Sequence, residues 1–111
     1  IGHTIMQGVD PVMMMEEYKD RLVEVHFNGV CHYWGGFMEH VPIYRNNALD
    51  YQAIVQKMRE INFDGPIICE LQGNDIQQAC EAVLEARELI VRLWRRPPKV
   101  KVKPWNLMRV L

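Results

Sequence analysis

Phe63-Asp64-Gly65-Pro66-Ile67-Ile68-Cys69-Glu70-Leu71 decides how this chain is to be read. Asn62 to Pro66 is built of turn formers, and the apolar run behind it is too short for a helix. The spacing therefore predicts a turn feeding a buried strand over 67–71. That strand carries one carboxylate, Glu70, near its end. A lone buried charge is costly unless it is paired or metal-bound, so Glu70 is the first candidate for chemistry. On the N-terminal side, Asp50 caps a helix over 50–61, with Tyr51, Ile54, Val55, Met58 and Ile61 at helical spacing. On the other side, Asn74-Asp75 opens the longest helix, reaching about Trp94. Its predicted apolar stripe is Ile76, Ala79, Cys80, Val83, Ala86, Ile90 and Leu93. Pro97-Pro98 ends it.

Further out, Asp10-Pro11 is an N-cap and first-turn pair, and residues 11–20 read as a short helix in which Met13, Met14 and Met15 pack. Leu22-Val23-Glu24-Val25-His26-Phe27 reads as a strand stopped by Asn28-Gly29. The segment 28–48 has Gly, Pro and Asn but weak periodicity, and is expected to be a long loop of functional kind. Within it Tyr33, Trp34 and Phe37 line a pocket rim or cover a barrel mouth, and Cys31, His32 and His40 offer zinc-type ligands without a recognisable pair spacing. The order is helix, strand, loop, helix, strand, helix. Strands alternating with amphipathic helices indicate parallel βαβ units, and strands apolar on both faces indicate a sheet covered by helices. The fold class is α/β, and short strands with polar ends suit a TIM barrel, whose functional groups sit at the strands' C-terminal ends. His26 and Glu70 would then face one rim as part of a divalent-metal site. The plainer alternative makes His26 a hydrogen-bonded core histidine and pairs Glu70 with a Lys or Arg.

Composition bounds the rest. The 111 residues are 49% hydrophobic and 24% charged, which excludes a wholly disordered chain and a disulfide scaffold. No apolar run approaches the ~20 residues a membrane helix requires, and no signal peptide is legible. Net charge is −1, so the molecule as a whole does not seek polyanions. After Glu88 there is no acid, while Arg92, Arg95, Arg96, Lys99, Lys101, Lys103 and Arg109 follow. Residues 96–111 are read as a basic, solvated extension, and Lys-Val-Lys-Val-Lys within it alternates like an edge strand. Cys31, Cys69 and Cys80 form an odd set without C-x-x-C, which favours a reduced, cytoplasmic compartment.

Several stretches in order carry a resemblance: Gly2-His3, Arg21-Leu22-Val23-Glu24-Val25-His26-Phe27-Asn28, Glu39-His40-Val41-Pro42, Leu49-Asp50-Tyr51 and 63–71. Together they resemble the C-terminal half of the xylose isomerase-like TIM-barrel superfamily, which includes sugar-phosphate isomerases and epimerases and endonuclease IV-type enzymes. The resemblance covers about residues 1–95. It implies the C-terminal part of a (β/α)8 barrel, incomplete as given, with His26 and Glu70 as metal ligands, Glu70 as a catalytic carboxylate and His3 as a substrate contact. The metal would be Mn²⁺, Mg²⁺, Zn²⁺ or Co²⁺. An Asp is expected immediately before Ile1 and a first Glu further upstream. Glu39-His40 resembles the acid–His region where endonuclease IV-type members place further ligands. The chain departs from the family at Gly29, where an acid is usual, and at Ile43-Tyr44-Arg45-Asn46-Asn47, which replaces a Pro-Gly-x-Gly loop.

What the resemblance implies about function is a metal-dependent isomerase or epimerase of a sugar or sugar phosphate, working through an enediolate. The alternatives are an endonuclease IV-type nuclease acting at abasic sites and a non-catalytic half-barrel that assembles. The first would use the basic tail on DNA, which the sparse His/Asp set argues against. The second rests on open strand edges that invite a homo-oligomer, since the chain supplies roughly three or four strands of a full barrel.

Overall fold

The computed structural model describes residues 1–97. The alternating Lys-Val stretch and most of the basic extension lie outside them. Helix α1 (Gly2–Met6) is followed by α2 (Pro11–Glu17), β1 (Val25–Phe27), β2 (Gly29–Tyr33), β3 (Gly36–Val41), a 3-10 turn (Ile43–Arg45), α3 (Tyr51–Glu60), β4 (Ile67–Cys69) and α4 (Ile76–Arg95). The three helix starts read from Asp residues are all capped as expected. Asp10 accepts from the Val12 amide at 2.9 Å, Asp50 from Ala53 at 3.1 Å and Asp75 from Gln78 at 2.8 Å.

β1 and β4 pair in parallel, with Val25 opposite Ile67, His26 opposite Ile68 and Phe27 opposite Cys69. The Glu70 amide adds one more rung by donating to the Phe27 carbonyl at 2.9 Å. Strand alternation then separates two faces. Val25, Phe27, Ile67 and Cys69 belong to the clusters built with α3 and α4, around Ile54, Val55, Met58, Ala86, Ile90 and Leu93. Phe27 is fully buried and stacks on Tyr51 with ring centroids 4.9 Å apart. The other face carries Glu24, His26, Ile68 and Glu70, and no helix of the described residues covers it; Ile68 is 40% exposed. The expectation of strands buried on both sides is corrected here.

The long loop expected over 28–48 is corrected as well. Most of it is an antiparallel hairpin, β2 with β3, closing through Trp34-Gly35 between the paired Tyr33 and Gly36. Gly36 has φ +140°, which suits glycine at the turn. Asn28-Gly29 ends β1 at Phe27, as expected, and turns the chain out of the parallel sheet into the hairpin. Gly29 is required there, because a Cβ would stand 2.5 Å from the Val41 carbonyl oxygen. The Asn46-Asn47 pair braces the free edge of β2. Asn46 Oδ1 accepts from the Val30 amide at 3.1 Å, Asn47 Oδ1 from the His32 amide at 2.6 Å, and Asn47 Nδ2 donates to the His32 carbonyl at 2.9 Å.

Helix α4 keeps its predicted span but not its predicted stripe. The buried line is Ala82, Ala86, Ile90 and Leu93, whereas Ile76 is 84% exposed and Cys80 and Val83 are exposed. A helix of that length runs about 30 Å, far past a two-stranded sheet of three-residue strands, so its first turns find no sheet to cover. Of the three methionines expected to pack, Met15 is buried and Met13 is exposed.

Candidate metal centre

The site forms where the uncovered face of the parallel pair meets the end of the hairpin. His26 lies on β1 and Glu70 just past β4, on the same face. Their approach places His26 Nδ1 in direct contact with Glu70 Oε1. The other ring nitrogen, Nε2, lies 2.8 Å from Glu24 Oε1. Glu24 and His26 are two apart on an extended segment, so both side chains leave the same face. The hydrogen bond to Glu24 and the charge of Glu70 raise the His26 pKa, with partial desolvation opposing. On the opposite face, burial pushes the Cys69 thiol and the Tyr51 phenol up.

Glu70 also faces the hairpin: its Oε2 is 3.1 Å from His40 Nε2. His40 reaches this point through a bulge. The register opposes Gly29 to Val41 and Val30 to Glu39, leaving His40 as the extra residue on β3, at φ +60°. Consecutive residues on a regular strand point to opposite faces, whereas a bulge re-aims one of them. Glu39 and His40 therefore converge on one spot, and the Gln72 amide donates to the His40 carbonyl at 2.7 Å to hold the bulge against the β4 exit.

His3 completes the group from α1. Its Nε2 lies 3.1 Å from Glu39 Oε2, and its ring meets that of His40 edge-on at 5.8 Å. Buried Asn28 sets its position: Asn28 Oδ1 accepts from the Gly2 amide at 3.1 Å, and its carbonyl accepts from the Tyr51 hydroxyl at 3.0 Å. A Cβ at Gly2 would come within 2.7 Å of that Oδ1, so the glycine before His3 permits the close approach. One ligand atom from each of His3, Glu39 and His40 lies within 4.8 Å of the others.

Two of these atoms are telling. Glu39 Oε2 and His40 Nε2 are buried without a hydrogen bond. Each has a neighbour at ion-pair distance, His3 and Glu70 respectively, but the contacts are not aligned as hydrogen bonds. Buried polar atoms left in this state are uncommon and call for an explanation such as an ion. The donor set of imidazole nitrogens and carboxylate oxygens suits divalent zinc, manganese or cobalt.

Of the residues singled out from sequence, His3, His26 and Glu70 come together here. Glu70 is partly exposed rather than deeply buried, and its partners are histidines rather than the Lys or Arg of the plainer reading. His40 joins His3 and Glu39, not Cys31 and His32; His32 instead stacks on Phe37 at 4.6 Å. Tyr33, Trp34 and Phe37 are exposed around the hairpin tip. Glu24 and Asn28 were missed as functional neighbours, although Glu24 stands at the two-residue spacing that puts it beside His26.

Residues 1–93 match the family model described as xylose isomerase-like TIM barrel. The chain belongs to the xylose isomerase-like TIM barrel family. No curated protein matches it. The parallel β1–β4 pair with helices packed on one of its faces is consistent with that family. Among the described residues no helix is long and apolar enough to cross a membrane, and the three cysteines are free.

Proposed function

We propose that this chain is the C-terminal part of a divalent-metal-dependent isomerase or epimerase acting on a sugar or sugar phosphate. The observation that carries the reading is the meeting of His26 and Glu70 on the strand-end face, with orphaned Glu39 and His40 atoms beside them. His26 Nδ1 and the Glu70 carboxylate would hold the cation. A bound divalent ion supplies Lewis-acid polarisation of adjacent carbonyl and hydroxyl oxygens. Glu70 would take the proton from the hydroxyl-bearing carbon next to the carbonyl, leaving the C–H electron pair on the substrate, and hold it as a carboxylic acid until it returns to one of those two carbons, since a carboxylate oxygen freed from its imidazole partner is a competent base. His3, 71% exposed at its side chain, contacts the substrate from α1. A Mn²⁺ titration by calorimetry tests the assignment: the wild-type chain binds, and Glu70→Gln weakens binding at least tenfold. Equal affinity in the two would overturn the role of Glu70.

The described residues hold only one parallel strand pair of a (β/α)8 barrel. We expect little turnover from the 111-residue chain alone, and association through its open strand edges, with a second copy as partner. Light scattering reads that association, and a clean monomer contradicts it. A second reading, an endonuclease IV-type nuclease, draws support from the separate grouping of His3, Glu39 and His40. Tight, salt-dependent binding of abasic DNA would favour it over the sugar enzyme.

A further inference from the structure

We propose that Glu24 is a positioning residue that fixes the ring of His26 for the cation; this rests on the metal reading above. His26 stands between two carboxylates, Glu24 at Nε2 and Glu70 at Nδ1. A neutral imidazole carries one proton on one nitrogen, so the two partners compete for it. A cation held jointly by Nδ1 and Glu70 requires the Nδ1 lone pair to be bare. Among the described residues Glu24, 2.8 Å from Nε2, is the acceptor placed to take the remaining N–H. The carboxylate–imidazole–metal chain this makes sets both the tautomer and the ring orientation, and raises the ligand's basicity. The geometry costs the fold little, because Glu24 and His26 share one extended segment and no rotation of an element is needed to bring them together. Glu24 meets Nε2, the ring nitrogen away from Glu70, and half-exposed ion pairs of its kind add little to stability. Its value lies in orientation.

Two measurements on the full chain test this. The first is the imidazole ¹⁵N spectrum of the metal-free protein at a pH where the ring is neutral. The Nε2–H share of His26 falls in Glu24→Ala and is retained in Glu24→Gln, whose amide oxygen still accepts the bond. An unchanged share in Glu24→Ala overturns the proposal. The second is the affinity for Co²⁺ alone, which drops roughly ten- to hundredfold in Glu24→Ala and recovers in part in Glu24→Gln. Equal affinity in wild type and Glu24→Ala also overturns it. If the wild-type chain binds no Co²⁺, the metal reading fails, and the nitrogen spectrum alone decides whether Glu24 holds the ring. Because Glu24 is exposed, none of these variants removes a core contact.

Discussion

His40 shows most clearly how one backbone angle assembles the site. A non-glycine residue at positive φ costs about 1–2 kcal/mol, less for His than for bulky residues, and such outliers cluster where function needs them. The strain at φ +60° allows Glu39 and His40 to face one point. His40→Gly relieves the angle but surrenders some backbone entropy. We therefore expect stability unchanged or raised by up to about 1 kcal/mol in urea unfolding, together with weakened Mn²⁺ binding. A large loss of stability would contradict the account of the bulge. Single residues were legible in the sequence where their type and place coincided: Glu70 after an apolar run, His26 near a strand end. His40 was legible as a candidate ligand but its placement was not, because periodicity alone does not announce a bulge, and without it neighbouring Glu39 and His40 belong on opposite faces.

Elements with local signals were the readable ones. Each Asp cap fixed a helix start, and the apolar spacing in 51–61 matched the buried Ile54, Val55 and Met58. The hairpin was hidden because its stabilisation comes from outside it: Asn46 and Asn47 brace one edge of β2, and β3 pairs along the other. Its strands carry too little alternation to stand alone. Helices α2 and α3 are joined at the surface by Glu16, 3.1 Å from Lys57, which also pairs with Glu60 at 3.0 Å. Hydrogen bonds from Lys57 and Lys19 hold the Glu16 pKa below its ordinary value, and Glu60 and Glu16 raise that of Lys57. The Glu16 contribution is thus present above the ordinary carboxylate range and is lost as pH falls through its lowered folded value. That of Lys57 is present below the ordinary lysine range and is lost as pH rises through its raised one. Glu16→Gln should flatten the acid side of a Tm-against-pH profile, and added salt should shrink the difference from wild type. An acid limb unchanged by the substitution would show that the pair is inert.

At the scale of the molecule, the two faces of the β1–β4 pair have different fates. One is closed by α3 and α4 around Phe27; the other, with Glu24, His26 and Glu70, faces the hairpin end and His3. A (β/α)8 barrel has the same division, with helices outside and functional groups at the strand ends, and family membership supports reading this chain in that frame. The alternation of strands and amphipathic helices was enough to reach the α/β class. It did not reveal that one sheet face would stay open, because an apolar residue such as Ile68 reads the same whether a helix or further strands are meant to cover it. Whether the face holding His26 and Glu70 binds a cation is read straight from anomalous diffraction of crystals soaked in Mn²⁺. The expected map has a manganese peak bonded to Glu70 and His26 Nδ1, with Glu24 still on Nε2. Direct His26–Glu70 contact persisting at saturating Mn²⁺, with no peak between them, would contradict it.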